Sequence, residues 1–423
     1  MSVSTLPQEL VDDIIDEFSS NADLPALARL ALVSRAWTPR SRSHQFRHVN
    51  LYDDDFHTEQ EATYRVLENS AAIRGSIQSI RIASGSRGRA RASVWSRPGC
   101  RLEIGAHTLL RLLRAMPRLK TIDMKECAVV PPADGDAASM LSYCLPRGSS
   151  LKALWYEPSF MGSPKFDAFY TLLFFRHVAI HELCIRGCLQ DPRLVHGGAE
   201  LEEKALREMQ SRLALQPSPE DYELLQPCHI DVLDVEKRSY SWFSEIAEWL
   251  LASSAADMLS VTVSRSWDSP ELRQFFERVG PRLTRLRLYL SVFQGSPGAH
   301  AYHPLLKPCI SLREIVITLP ASVISGAISR IYWSGLPAIP PSVDQVRLQL
   351  ALPVAGSVQT AMQTWDSVMH WTELEDVLRK ASELRMVVFE AFADSGRGIH
   401  EETREIVQRK LPEMHRAGML CFA

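Results

Sequence analysis

The clearest concentration of charge in the sequence is an arginine-rich segment. Residues 84–101 read SGSRGRARASVWSRPGCR, and the five arginines of this segment are Arg87, Arg89, Arg91, Arg97 and Arg101. Guanidinium groups recognise phosphate and carboxylate groups through paired hydrogen bonds. The segment is therefore a candidate anion-binding site, and the competing interpretation is a solvated loop with no ligand of its own.

Nothing in the sequence matches a catalytic motif. It has no lysine-containing phosphate loop, no G-x-S-x-G elbow, no H-E-x-x-H helix and no C-x-x-C pair. Cys184 and Cys188 lie four residues apart, but no second ligand pair has the spacing of a zinc site. Cys228 and His229 would point to opposite faces of a strand. We therefore predict a protein that is not an enzyme and that uses neither a metal nor a cofactor.

The bulk composition is that of an ordinary globular protein. The 423 residues carry a formal net charge of −3, with 46% hydrophobic and 23% charged residues, which disfavours a nucleic-acid partner. Acidic residues interrupt the first apolar stretch, and no uncharged apolar run nears the roughly 20 residues of a membrane span. We therefore expect no signal peptide and no membrane partner. The eight scattered cysteines favour reduced thiols and hence a cytoplasmic or nuclear location.

The amino-terminal residues predict an amphipathic helix. In the segment LPQELVDDIIDEF, the side chains of Leu10, Ile14 and Phe18 follow one another at a spacing of four, which places them on one helical stripe. Val11 and Ile15 form a second stripe beside the first, and the acidic residues lie on the other side. An apolar face of this width must be buried against something.

Two further helices are predicted before residue 45. The second starts near Asp23, a candidate N-cap, with Pro25 in its first turn; the third passes through Trp37 and ends near Pro39. A unit of about 45 residues is close to the lower limit for an independent core. It is too small to cover all of its apolar side chains: Leu6, Leu10, Val11, Ile14, Ile15, Leu27, Leu32, Val33 and Trp37. Either another protein covers the excess, or the helices pack as a cap on the rest of the chain.

The same residues resemble an F-box. LPQELVDDII, followed after a gap by LARLALVSRAW, is similar to that family's motif, which opens with Leu-Pro-x-Glu-Leu and closes with Leu-Val-Ser-Arg-x-Trp. The family's F-box is a three-helix module whose apolar ridge docks on a Skp-type adaptor, which links it to a cullin–RING ubiquitin ligase. The resemblance implies a set of adaptor-binding residues: Leu6, Pro7, Leu10, Ile14, Leu27, Val33 and Trp37.

A weak repeat follows the helical segment. The template apolar-x-x-apolar-x-apolar begins at residues 46, 77, 119, 151, 180, 230, 258, 283, 312, 343 and 384. One such hexamer carries little information in so apolar a chain, but most of the intervals lie near the period of leucine-rich repeats. Each hexamer is therefore a predicted strand.

Amphipathic helices alternate with these predicted strands. HTLLRLLRAM, ELRQFFERV and HWTELEDVLRKA each place apolar side chains on one face. Strands and helices that alternate at this interval indicate stacked units with a parallel sheet. Cys127 and Cys188 each follow a hexamer at the third position, where leucine-rich repeats place an Asn or Cys inside the turn.

We therefore predict an α/β protein with two parts. Residues 1–45 form a three-helix F-box, and residues 46–423 form an irregular leucine-rich-repeat solenoid of alternating strands and helices, capped by a terminal helix in VQRKLPEMHRAGML. The array is similar to those that follow an F-box, particularly in fungal proteins. Three loop inserts interrupt it, near 84–101, 131–148 and 190–227. A closed α/β barrel is the competing architecture, which the uneven spacing disfavours.

The resemblance implies a substrate-recognition subunit of a cullin–RING (SCF-type) ubiquitin ligase. The F-box would hold the Skp-type adaptor and, through it, the cullin scaffold, while the array would present an unidentified target protein. The arginine-rich segment would then be a candidate site for an acidic or phosphorylated degron. One alternative is a non-catalytic interaction scaffold with no ligase role. Another is an α/β enzyme with an unrecognised motif, which a deep pocket of titratable groups would favour.

Overall fold

The chain folds as two compact units, Met1–His229 and Ile230–Ala423. The computed structural model describes these residues: 7–20, 24–52, 70–84, 102–131, 137–158, 164–186, 220–225, 229–236, 239–252, 256–264, 270–291, 306–319, 339–351, 366, 369–393, 396–397 and 401–422. The predicted division after residue 45 falls inside the first unit and stays a prediction.

Three helices open the first unit: α1, Gln8–Ser20; α2, Leu24–Val33; and α3, Thr38–Gln45. The third helix differs from its prediction. It begins after Trp37 instead of ending near Pro39, because Pro39 lies in its first turn, where a missing N–H group costs no hydrogen bond. Asp23, the predicted N-cap of α2, lies outside the described residues.

A parallel sheet follows in the first unit. Its strands are paired in chain order: β1, His48–Tyr52; β2, Ser79–Ala83; β4, Thr121–Lys125; β6, Ser150–Glu157; and β7, Ala179–Ile185. A separate pair of short parallel strands was not predicted: β3, Leu102–Gly105, and β5, Cys127–Val130.

The same backbone hydrogen bonds recur at the start of successive strands. The carbonyl oxygen of Arg47 accepts from the N–H groups of Gln78 and Ser79, at 2.9 and 3.0 Å. The carbonyl oxygen of Gln78 then accepts from Lys120 and Thr121, at 2.8 and 3.0 Å. Each strand thus fixes the register of the next, which gives the weak sequence repeat a structural basis.

The helices of the first unit lie between its strands in sequence: α4, Ala71–Arg74; α5, Ala106–Arg114; α6, Ala137–Met140; and α7, Pro164–Phe174. The predicted apolar face around α5 is confirmed, since its members are all buried: Leu109, Leu112, Leu113 and Met116. In the predicted insert near 131–148, the described residues from 137 onward form α6 and a following turn, which bury Met140, Cys144 and Leu145.

The second unit repeats the parallel arrangement. Six strands pair in chain order: β8, His229–Glu236; β9, Ala256–Ser264; β10, Arg285–Ser291; β11, Glu314–Leu319; β12, Gln345–Ala351; and β13, Met386–Ala393. The short strand β14, Gly396–Arg397, runs antiparallel to β13. Each of the eleven predicted hexamers therefore overlaps a strand of one of the two units.

The helices of the second unit also follow the predicted pattern: α8, Tyr240–Ala252; α9, Pro270–Val279; α10, Trp371–Arg379; α11, Glu401–Lys410; and α12, Pro412–Arg416. The apolar faces predicted around α9 and α10 are buried: Leu272, Phe275, Phe276, Val279, Trp371, Leu374, Leu378 and Ala381. The predicted terminal helix is broken between α11 and α12, and the chain then adds β15, Leu420–Phe422, parallel to β13.

The predicted α/β class, with amino-terminal helices and parallel strands, is therefore confirmed at this level of description. The predicted hexamers reflect the alternation of buried and exposed side chains along a strand. In β2, for example, Ile80 and Ile82 are fully buried while Arg81 is exposed. Among the helices that the structure describes, none has the length and apolar character needed to cross a membrane.

Candidate functional site

The three amino-terminal helices enclose a small core of their own. Val11 and Ile15 of α1, Leu27 of α2 and Trp37 form one buried cluster, and Leu30 packs against it. Leu27 is 1% exposed and Trp37 is 7% exposed. Two of the residues that the F-box resemblance implies for adaptor binding therefore hold the helices together and leave little surface for a partner.

The same helices leave other large apolar side chains in solvent. Their exposed fractions range from 38% for Ile14 to 87% for Leu32. We call this group the exposed apolar set: Leu10, Ile14 and Phe18 of α1, and Leu24, Leu32 and Val33 of α2. In the rest of the chain that the structure describes, only Ile310 is a large apolar side chain with comparable exposure. Exposed apolar surface is thus concentrated in the first two helices.

The geometry of α1 explains why the exposure arises. Val11 and Ile15 point into the core, whereas Leu10, Ile14 and Phe18 lie about 100° away around the helix. Two short partner helices can cover only one of these stripes. The sequence predicted both stripes, but composition alone could not decide which one faces inward.

The members of the exposed apolar set only partly coincide with the adaptor-binding residues implied by the resemblance. Leu10, Ile14 and Val33 belong to both groups, and Pro7 is also exposed. Leu6 lies outside the described residues. The resemblance did not select the three further exposed residues: Phe18, Leu24 and Leu32. Phe18 could have been found from the sequence, since it continues the Leu10–Ile14 stripe.

A carboxylate on α1 fixes the position of α3. The guanidinium group of Arg40 donates from Nε to Asp16 Oδ1 at 2.9 Å and from Nη2 to Oδ2 at 2.5 Å. The ring atom Nε2 of His44 lies 2.7 Å from the same Oδ1. These bonds with Arg40 lower the pKa of Asp16 below its usual value. The carboxylate therefore stays ionised and joins the first helix to the third.

A hydroxyl group makes the corresponding connection between α2 and α3. Thr38 Oγ1 donates to the carbonyl oxygens of Ala31 at 2.8 Å and Ser34 at 3.1 Å. These carbonyls belong to the end of α2 and the residue after it, and the Ser34 carbonyl also accepts from the backbone N–H groups of Trp37 and Thr38, at 3.1 and 3.3 Å. The bond also fixes the direction in which the chain leaves α2, next to the exposed Leu32 and Val33.

The predicted anion-binding arginines cannot be placed in this geometry. Arg87, Arg89, Arg91, Arg97 and Arg101 all lie outside the described residues. The arginine-rich segment therefore stays a prediction.

Cys127 is a buried cysteine that forms hydrogen bonds with the backbone. Cys127 is fully buried, and its Sγ lies 2.9 Å from the carbonyl oxygen of Lys125 and 3.3 Å from that of Ile82. Burial raises the pKa of this thiol well above its usual value, so the thiol stays protonated and donates from the first residue of β5. The turn position predicted from leucine-rich repeats stays a prediction. Cys188 and Cys228 lie outside the described residues.

Within the described ranges, no group of three or more His, Cys, Asp or Glu side chains is arranged to hold a metal ion. Comparison with known proteins adds no assignment, because no protein-family model and no curated protein matches the chain. What the chain binds must therefore be inferred from its own residues.

Proposed function

We propose that this chain is a substrate-recognition subunit of a cullin–RING (SCF-type) ubiquitin ligase. The observation that carries the proposal is the exposed apolar set, which lies on two helices whose sequence resembles an F-box. Clustered apolar surface in water costs about 25 cal/mol per Å² relative to burial, and it commonly marks a protein-binding site. A Skp-type adaptor is the partner that the resemblance implies.

The contact surface proposed here differs from the set implied by the motif alone. Leu27 and Trp37 support the surface from inside, since both are buried. The proposed contact residues are Leu10 and Ile14 on α1 and Leu32 and Val33 on α2, all of them exposed. Apolar anchors of this kind usually supply most of the free energy of an interface.

The rest of the chain is proposed to be a leucine-rich-repeat-like array that binds the target. Support comes from the parallel strands in chain order and from the recurring hydrogen bonds at their starts. The array would contribute no chemistry of its own. Its effect would be to raise the effective concentration of a target lysine near the ubiquitin carrier. We propose a cytoplasmic or nuclear location for this complex, which includes the cullin scaffold through the adaptor.

Co-purification with a Skp-type adaptor tests the proposal. The wild-type chain, co-expressed with the adaptor, should retain it through affinity and size-exclusion chromatography. The double variant Leu10→Asp with Ile14→Asp should weaken binding by roughly 100-fold or more, because two apolar anchors become charged. Both side chains are exposed, so the circular dichroism spectrum should not change.

Ile310→Asp is the matched control. Ile310 is 70% exposed in the second unit, so this change also places a charge at an exposed apolar position, and adaptor binding should persist. Adaptor retention by the double variant would contradict the proposed contact surface. A wild-type chain that binds no Skp-type adaptor would contradict the ligase role and favour the interaction scaffold.

A further inference from the structure

A cleft of about 850 Å³ lies in the first unit, at the edge of the sheet where β2, β4 and β6 begin. Its floor is apolar and buried, formed by Leu113, Met116, Ile122, Leu145, Leu151 and Val178. Pockets of 300–1,000 Å³ are the usual size for sites that hold a small ligand or a few residues of peptide.

The rim of the cleft is positively charged. Arg114, Arg118 and Lys120 line it and are exposed, and none of the described lining residues is acidic. The two stretches that supply most of the lining, 113–122 and 145–151, contain no Asp or Glu. In a chain whose formal net charge is −3, this is a local excess of positive charge.

Two further arginines act on His177, the residue before the lining residue Val178. The pKa of His177 lies below its usual value, first because of partial burial and then because of the charges of Arg176 and Arg147. Arg147 lies between Pro146 and Gly148, which both line the cleft. The chain segment that lines this side of the cleft therefore carries a further positive charge.

The backbone holds the rim in place. The N–H group of Lys120 donates to Gln78 O at 2.8 Å, and the carbonyl oxygen of Lys120 accepts from Lys152 N at 2.7 Å. On the other side, Leu145 N donates to Phe174 O at 3.1 Å. A charged rim whose backbone is already ordered loses less conformational entropy when it binds.

This combination selects a ligand that has both anionic and apolar groups. A simple inorganic anion would contact the rim and leave the floor unused, whereas a purely apolar segment would gain nothing from the cations. We propose that the cleft binds a short peptide segment in which acidic or phosphorylated side chains flank an apolar residue. Only the identification of that segment as part of a ubiquitylation target rests on the proposed function.

Fluorescence anisotropy with three labelled decapeptides tests this proposal on the full chain without an adaptor. The first peptide alternates glutamate with leucine, the second has phosphoserine in place of glutamate, and the third has lysine. At least one anionic peptide should bind saturably and the lysine peptide should not. Binding should weaken as salt is raised from 50 to 300 mM, because salt screens exposed charges. The first two peptides together show whether carboxylate or phosphate is preferred.

The double variant Arg118→Gln with Lys120→Gln should weaken binding of the anionic peptide by roughly tenfold, since it removes two charges that face the ligand. The matched control is Arg273→Gln with Lys307→Gln, which removes the same charge from exposed positions of the second unit and should leave the affinity unchanged. Both changes lie on the surface, so folding should be retained.

Three results would overturn the proposal: no saturable binding of either anionic peptide, equal loss of affinity in both double variants, or binding of free pyrophosphate without binding of either peptide. The outcome is separate from that of the adaptor experiment. A chain that binds anionic peptide but no Skp-type adaptor keeps the cleft and loses the ligase role, and the reverse result keeps only the ligase role.

Discussion

At the scale of single residues, Asp16 shows how one carboxylate can connect two helices. Hydrogen bonds from Arg40 stabilise its ionised form and lower its pKa from the usual 3.8. A carboxylate with a lowered folded-state pKa stabilises the fold at pH values above its unfolded pKa. That contribution is lost as the pH falls through the folded value. The contact between α1 and α3 should therefore weaken in acid.

We predict that Asp16→Asn loosens α1 against α3. The Asp16 side chain is 43% exposed, so water screens the ion pair, and the expected loss at neutral pH is only about 0.5 kcal/mol. Hydrogen–deuterium exchange of peptides from these two helices should show protection roughly twofold lower at pH 7. After correction for intrinsic exchange, the variant and the wild type should show equal protection at pH values below the folded pKa of Asp16, where the wild-type carboxyl group is also uncharged.

Asp13→Asn is the control for this prediction, because Asp13 is an exposed acidic residue on the same helix. It should leave protection nearly unchanged. If the two variants lose protection equally, the net charge of α1 is responsible and the specific contact between Asp16 and Arg40 is not.

The sequence did not predict which apolar side chains of α1 are buried and which are exposed. Leu10 and Ile15 have similar hydrophobicity, yet Leu10 is 50% exposed and Ile15 is fully buried. Helical periodicity identifies both stripes, but the choice between them depends on where Leu27 and Trp37 pack. That packing is a tertiary property, so the residues implied by the resemblance include both core and surface side chains.

At the scale of elements, the junction between α9 and β10 leaves little room for a side chain at Gly280. A Cβ atom at Gly280 would lie 3.0 Å from Cys309 Sγ and 3.1 Å from the carbonyl carbon of Pro308. Gly280 is itself buried. The backbone of Pro308 cannot move as freely as a side chain, so added volume there strains the turn.

We predict that Gly280→Ala destabilises the chain by about 1–2 kcal/mol through this overpacking. Urea-induced unfolding, followed by circular dichroism, should show a lower midpoint for the transition of the second unit. Gln274→Ala, an exposed change on α9, should stay within about 0.5 kcal/mol of wild type. A Gly280→Ala chain as stable as the control would show that the 306–312 segment can shift to make room.

Element positions were predictable where one periodicity dominated. Strands such as β2 and β4 alternate buried and unburied residues, and the hexamer template detects that alternation. The short pair β3 and β5 was missed because four residues are too few for a periodic signal. The third helix was misplaced since Pro39 is compatible with either the end of one helix or the first turn of the next.

At the scale of the whole molecule, the fold class was predictable because strands and helices alternate along the sequence, and that order favours a parallel sheet. The cleft in the first unit was not predictable. Its lining comes from Gln78, from Val178 and from residues of two stretches, 113–122 and 145–151, which meet only when successive strands are aligned. The arginine-rich segment is visible in the sequence because five arginines fall within residues 87–101, whereas the rim charges come from a short apolar stretch of ordinary composition.

We predict that a chain starting at Phe46, without the three amino-terminal helices, keeps the fold of the remaining residues. The core of these helices consists of their own side chains, Val11, Ile15, Leu27 and Trp37, so their removal should expose little of the core beneath the strands. Circular dichroism should retain the sheet signal, and the melting temperature should fall by less than about 4 °C. The truncated chain should bind anionic peptide as the full chain does and bind no adaptor. Aggregation or loss of cooperative melting would instead mean that the helices cap β1, and the interaction-scaffold alternative would then explain their apolar side chains better than adaptor docking does.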